Sequence, residues 1–259
     1  MLLNHVYNKS CEQMEEIEDE SVDIIISSPP YFNLKKYAQW ETYSSYLAFI
    51  RNVSTACYRV LKPGGWLCWN VQDSLPFPHE KAERYSEPLA SDSIQIFKEC
   101  DFKYERGIVW YKGQGTATQR LFGSYPNPGL LLISSLTEPV ILMRKWREGY
   151  KREISPEIRE KSKLTKREWS EWTLDIWEIK PESAKRVGHD APFPFELPYR
   201  LIRMFSFYGD VVLDPFFGSG TTGLAAESCG RKFIGYEIHS EYIDVFRTRQ
   251  KKRHNIFAA

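Results

Sequence analysis

Residues 211–237, VVLDPFFGSGTTGLAAESCGRKFIGYE, restrict the chain to very few architectures. An apolar run stops at Asp214-Pro215. Three glycines follow, Gly218, Gly220 and Gly223, and a second apolar run ends in Glu237. Strand, glycine turn, helix, strand is a crossover unit, and such units build parallel sheets. Glycines let the backbone turn tightly and approach a ligand closely. An acidic side chain about 20 residues past such a turn holds both hydroxyls of a ribose. Here Glu237 follows Asp214 by 23 residues. The segment therefore points to a nucleoside-containing ligand. The glycines alone do not choose between NAD and S-adenosylmethionine. The loop chemistry does: DPFFGSGTTG carries an acid and no Lys or Arg, so a pyrophosphate is poorly served. A ligand bearing an ammonium and a sulfonium, with no phosphate, suits it better.

The second constraint lies near the other end. In DIIISSPPYFN (Asp23–Asn33) a β-branched run ends abruptly in Ser28-Pro29-Pro30-Tyr31. A short continuous apolar run bounded by proline reads as a buried strand. Proline fixes φ and lacks an N–H, so a Pro-Pro step leaves rigid carbonyls with few internal partners. Such carbonyls accept hydrogen bonds from an amino group. Ser28 adds a side-chain oxygen and Tyr31 a flat face. Together they suit a planar aromatic amine.

Between these motifs strands and helices alternate. TYSSYLAFIRNVSTACYRVL reads as a helix stopped at KPGG, and GGWLCWNVQD as a strand. SDSIQIFKECDF reads as a helix, and YERGIVWYKG and EPVILMRKW as strands. Residues 113–185 break the regularity. They open Gly/Pro-rich and turn basic, with ten Lys or Arg against four Glu from Arg144 to Arg167. Since the whole chain is nearly neutral, at +1, this local excess suggests phosphate contacts. RTRQKKRH near the end adds five more basic residues. Five cysteines without a C-x-x-C pair suggest neither a disulfide framework nor a zinc site. No signal-peptide pattern or apolar stretch of about 20 residues is present, so a cytoplasmic protein without a membrane span is expected. The five histidines form no evident triad, and His189 reads as a loop residue.

SSPPYFN placed early and LDPFFGSGTTGLAA placed late resemble the DNA amino-methyltransferases, in the permuted order of their β group. YRVLKPGGWLCW, IVWYKG and HDAPFPFELPYRLIRMFS are similar to further stretches of that family, so the likeness spans about residues 20 to 245. The resemblance implies an α/β Rossmann-like methyltransferase fold: a seven-stranded, mostly parallel sheet with helices on both faces and a small target-recognition insert. It implies one methyltransferase domain in two parts. Residues 1–112 carry the catalytic motif, 113–185 recognise the target, and 186–259 bind the cofactor, S-adenosyl-L-methionine. Ser28, Pro29, Pro30 and Tyr31 would be catalytic, Tyr31 by stacking on an extruded base. Asp214, Phe216, Gly218, Gly220, Thr221 and Glu237 would line the cofactor, with Phe193, Pro194 and Glu196 near its methionine end. Arg120, Lys151, Arg152, Lys161 and Lys163 are candidate DNA contacts.

The implied partner is double-stranded DNA, with room for a companion restriction endonuclease and a homodimer. No metal is needed. Serine at the head of the catalytic motif favours the 4-amino group of cytosine over the 6-amino group of adenine. A protein glutamine methyltransferase normally carries the motifs in the opposite order, and an inactive DNA-binding homologue need not keep both intact. One departure stands out. YNKSCEQM carries Ser10 where the family often has the Asp that meets the cofactor's adenine.

Overall fold

A computed structural model describes residues 1–32, 40–73, 86–113, 126–129, 135–182 and 193–257. Arg120 and His189 lie outside the described residues.

The strands are β1 (His5–Tyr7), β2 (Val22–Ser27), β3 (Leu61–Asn70), β4 (Lys103–Tyr111), β5 (Thr137–Arg144), β6 (Ile176–Glu178), β7 (Val211–Asp214) and β8 (Lys232–Tyr236). They form one sheet in the order β1-β8-β7-β2-β3-β5-β4-β6. Among the described strands only β5 runs against the rest, pairing antiparallel with β3 and β4. Among the described residues the sheet has eight strands, where seven were expected. The two shortest strands, β1 and β6, have three residues each and sit at the two edges. Within residues 113–185, β5 occupies the interior of the sheet and β6 one edge.

Every residue of β2 is buried, which explains its unbroken apolar run. Its side chains alternate between two cores. Ile25 packs with Leu67, Trp69 and Leu213 under α1 (Tyr43–Val60) and α2 (Leu89–Glu99). Ile24 and Ile26 pack with Val212 and Phe233 under α5 (Glu196–Phe205), α6 (Thr221–Ser228) and α7 (Ser240–Phe257). Each fully buried isoleucine contributes about 1.5–3 kcal/mol. Helices thus cover both faces, as the alternating pattern predicts. α1 begins where Thr42 and Ser45 form a reciprocal capping box. It ends at Val60, and Leu61 is already strand. KPGG is therefore not a loop between them. It bulges within β3, where the pairing steps from Val22–Leu61 to Ile24–Trp66.

Two short helices interrupt the basic stretch, α3 (Pro156–Ser162) and α4 (Lys166–Trp172). Ser155 caps the first, ahead of a proline at its first position. Thr165 and Glu168 cap the second reciprocally. Among the described residues no helix is long and apolar enough to cross a membrane.

Candidate active site

Parallel strands collect their ends at one edge. β2 ends at Ser27, so Ser28-Pro29-Pro30-Tyr31 stands at the carboxyl edge of the sheet. β7 lies directly beside it, pairing Ile24 with Val212 and Ile25 with Leu213, and ends at Asp214. The two sequence motifs therefore meet. A hydrogen bond spanning 187 residues joins them: Ser27 Oγ donates to Asp214 Oδ1 at 2.5 Å. The Phe216 N–H donates to the same oxygen at 3.1 Å.

A cavity of about 270 Å³ opens at this junction. Ser28, Pro29, Pro30 and Tyr31 form one side, and Asp214, Phe216, Gly218, Thr221 and Glu237 the other. Trp40, Phe49, Phe193 and Tyr242 complete an aromatic lining. Gly220 does not line the cavity but shapes its rim, at φ +74°, as the residue before α6. A Cβ there would lie 2.1 Å from the Phe246 ring. Pro194 and Glu196 are not brought to the cavity. They border a neighbouring recess with Glu178 and Lys180, and Glu196 pairs with Arg200.

The donors of the loop decide what it can hold. The Gly218 N–H donates to Glu237 Oε2 at 2.7 Å, and the Gly220 N–H to the Phe217 carbonyl at 2.9 Å. The Phe217 N–H donates to the Tyr236 carbonyl at 2.8 Å. With the Phe216 N–H held by Asp214, these four amides have internal partners and do not form a phosphate nest. The two carboxylates favour a cationic or hydroxylated ligand. Glu237 also accepts the His239 N–H, at Oε1, and its carboxylate keeps acceptor capacity for a hydroxyl. Burial pushes the Glu237 carboxyl above its usual range. These residues fit a phosphate-free adenosyl ligand and do not fit a dinucleotide.

Asp214 is almost wholly buried. Desolvation pushes its carboxyl from 3.8 to about 6, against hydrogen bonds from Ser27, Thr222 and the Phe216 N–H. The folded state therefore binds more protons than the unfolded chain between about pH 4 and pH 6. Stability at this site is highest below pH 4, falls as pH rises through that window, and is constant above it. Asp214→Asn removes the titration. Its stability relative to the parent should rise by about 2–3 kcal/mol between pH 4 and pH 7. Urea unfolding at both values checks this, and a pH-independent difference would refute it.

Ser10 also lines the cavity, and its hydroxyl donates to Glu12 at 3.2 Å. A carboxylate thus stands behind the serine instead of in its place. Several contributors were not legible as such. Arg249, from the basic tail, braces the glycine loop by donating to the Ser219 carbonyl, Ser219 Oγ and Thr221 Oγ1. Glu138 reaches Tyr31, and Lys112 reaches Glu138, because antiparallel β5 starts where β4 ends.

The candidate DNA cations fall elsewhere. Arg152 forks onto Asp210 and also meets Asp23 at 3.2 Å, at the amino edge of β7 and β2. Lys161 pairs with Glu157 and lies over Tyr208, just before β7. Lys163 pairs with Glu160, and Lys151 is exposed beside Arg152. Arg152 and Lys161 thus lie near the amino ends of β2 and β7, the opposite edge from the cavity, and three of the four cations pair with acids. Of the four, Arg152 is placed as a structural cation between two buried carboxylates. Arg152→Ala should lower the unfolding free energy by about 2–3 kcal/mol, because two buried carboxylates lose a cation. Its slope of DNA affinity against salt should match the parent, where loss of a phosphate contact would reduce the slope by about one.

Comparison with known proteins agrees with this geometry. A DNA methylase family model matches residues 22–248. A type II methyltransferase of Methanocaldococcus jannaschii, M.MjaI, is 33% identical, over 87% of this chain and 84% of its own. A Thermus thermophilus protein assigned as a DNA modification methylase, solved with S-adenosyl-L-methionine, superposes with a TM-score of 0.79. It is 31% identical, with 95% of this chain and 92% of that one covered. The cytosine-N4-specific PvuII DNA methyltransferase shares the fold, with a TM-score of 0.71 at 21% identity, over 96% and 86% of the two chains.

Proposed function

The chain belongs to the N6/N4 DNA methylase family, and from that premise we propose that it methylates the exocyclic 4-amino group of cytosine in duplex DNA. As a DNA amino-methyltransferase it uses S-adenosyl-L-methionine, which when bound supplies an electrophilic methyl group on a sulfonium. Glu237 would hold the ribose hydroxyls. Phe216, Gly218 and Thr221 would line the adenosyl path, and Phe193 the methionine end. The observation that carries the reading is the junction itself. Ser-Pro-Pro-Tyr stands beside an acidic, phosphate-unfriendly glycine loop, tied to it by the Ser27–Asp214 hydrogen bond.

The chain's own residues then do the following. The lone pair of an aromatic amine is delocalised into its ring and is a poor nucleophile. Ser28 Oγ and the Pro29 carbonyl accept from the amine, favour a pyramidal nitrogen and aim its lone pair into the cavity. Tyr31 presents its ring to the extruded base. Extrusion costs a few kcal/mol, which stacking and hydrogen bonds offset. Alignment supplies much of the acceleration. Serine in place of aspartate at the motif's head favours cytosine over adenine. The type II relatives support a companion restriction endonuclease as a partner.

Labelled methyl transfer to mixed-sequence duplex DNA, followed by nucleoside mass spectrometry, tests the proposal. A 4-methylcytosine product is expected. A 6-methyladenine product would keep the mechanism and overturn the choice of base.

A further inference from the structure

Two charged side chains that this chemistry does not use stand behind Tyr31. Glu138 is buried near the start of β5, and Lys112 follows the last residue of β4. Lys112 Nζ donates to Glu138 Oε1 in an ion pair. The Tyr31 hydroxyl donates to Glu138 Oε2 at 3.0 Å. Its oxygen also lies 3.4 Å from Ser28 Oγ.

Counting protons gives this chain a direction. An ammonium can only donate and a carboxylate can only accept. Tyr31 has one hydroxyl proton, and Glu138 takes it. A bond between Tyr31 and Ser28 then requires Ser28 to donate. Ser28 also has one proton, so its lone pairs are what remain for the cavity. We propose that the Lys112–Glu138 pair sets the polarity of this relay, so that Ser28 meets the target base as an acceptor. The site then selects an exocyclic amine and rejects a base carrying a carbonyl at the same position, where lone pairs would face each other. The inference rests on the reading of Ser28 as partner of the target amine. Glu138 is a positioning residue, acting through Tyr31 and Ser28.

Glu138→Gln tests it at constant shape. Lys112 retains the amide oxygen, and the amide NH₂ turns to Tyr31. Tyr31 must then accept, donate onward to Ser28, and leave the Ser28 proton pointing at the amine. With labelled S-adenosylmethionine and unmethylated mixed-sequence duplex DNA, kcat should fall on the order of 10- to 100-fold. Cofactor Kd and apparent KM for DNA should stay at the parent values. In a Tyr31→Phe background the relay is cut, and Glu138→Gln should then change kcat less than about threefold. Equal losses in both backgrounds would mean a structural role and overturn the inference, as would parent-like turnover of Glu138→Gln. Ser28→Ala in the same assay separates the two readings. If it turns over normally, the role of Ser28 itself fails. If it is slow while Glu138→Gln is not, the relay alone fails.

Discussion

Ser28→Ala is expected to bind S-adenosylmethionine as the parent does and to transfer methyl about 100-fold more slowly. The fold of the tip does not depend on this side chain. Ser28 is half-buried, its backbone follows β2 without a break, and Pro29 and Pro30 hold the turn. What the variant lacks is one of two acceptors aimed at the amine. Removal of one preorganised hydrogen-bonding group from a reacting centre typically costs 10²–10³-fold in rate. The Pro29 carbonyl remains, so the lower end of that range applies. Single-turnover transfer and a cofactor titration check the two halves separately. An unchanged rate would remove Ser28 from the mechanism, and lost cofactor binding would make its role structural.

Gly220→Ala is expected to destabilise the protein by about 3 kcal/mol and to weaken cofactor binding at least tenfold. Two costs combine. The backbone sits at φ +74°, where a Cβ costs about 1–2 kcal/mol. That Cβ would also lie 2.1 Å from Phe246 and 2.8 Å from Phe217, both core rings that cannot leave without moving α7. Overpacking of this kind adds about 1–3 kcal/mol. Gly149 provides the control. Its φ is +71°, but a Cβ there meets nothing within 4 Å. Gly149→Ala should therefore show only the backbone cost in denaturant unfolding. Equal losses at the two positions would refute the steric account of the loop.

What the sequence made legible follows from the range of the forces involved. β2, β7, β8 and the helix after the glycines could be read because burial on both faces leaves continuous apolar runs punctuated by Pro and Gly. The meeting of the two motifs was also legible, since parallel neighbours share an edge. β1 was not, being three residues, HVY, whose pairing with β8 comes from tertiary context. α3 and α4 escaped notice although Ser155-Pro156 and Thr165…Glu168 carry capping signals, because the high charge of the segment dominated the reading. The same charge suggested phosphate contacts. Charge count does not reveal partners, and Arg152 finds Asp210 58 residues away. Glu138 was invisible for a different reason. Strand direction has no local signature, and only an antiparallel β5 brings the start of a strand to the ligand edge.

The bond between Ser27 and Asp214 also has a consequence for synthesis. A ribosome makes the Ser-Pro-Pro-Tyr tip early and its partner strand roughly 190 residues later. At rates of about 5–20 residues per second, the tip waits on the order of ten seconds or more. During that interval β2 lacks its β7 neighbour, and a strand destined for full burial has one unpaired edge. The nascent chain therefore carries its greatest aggregation hazard while it cannot yet assemble its cavity. Activity and protection arrive together, when the final crossover docks.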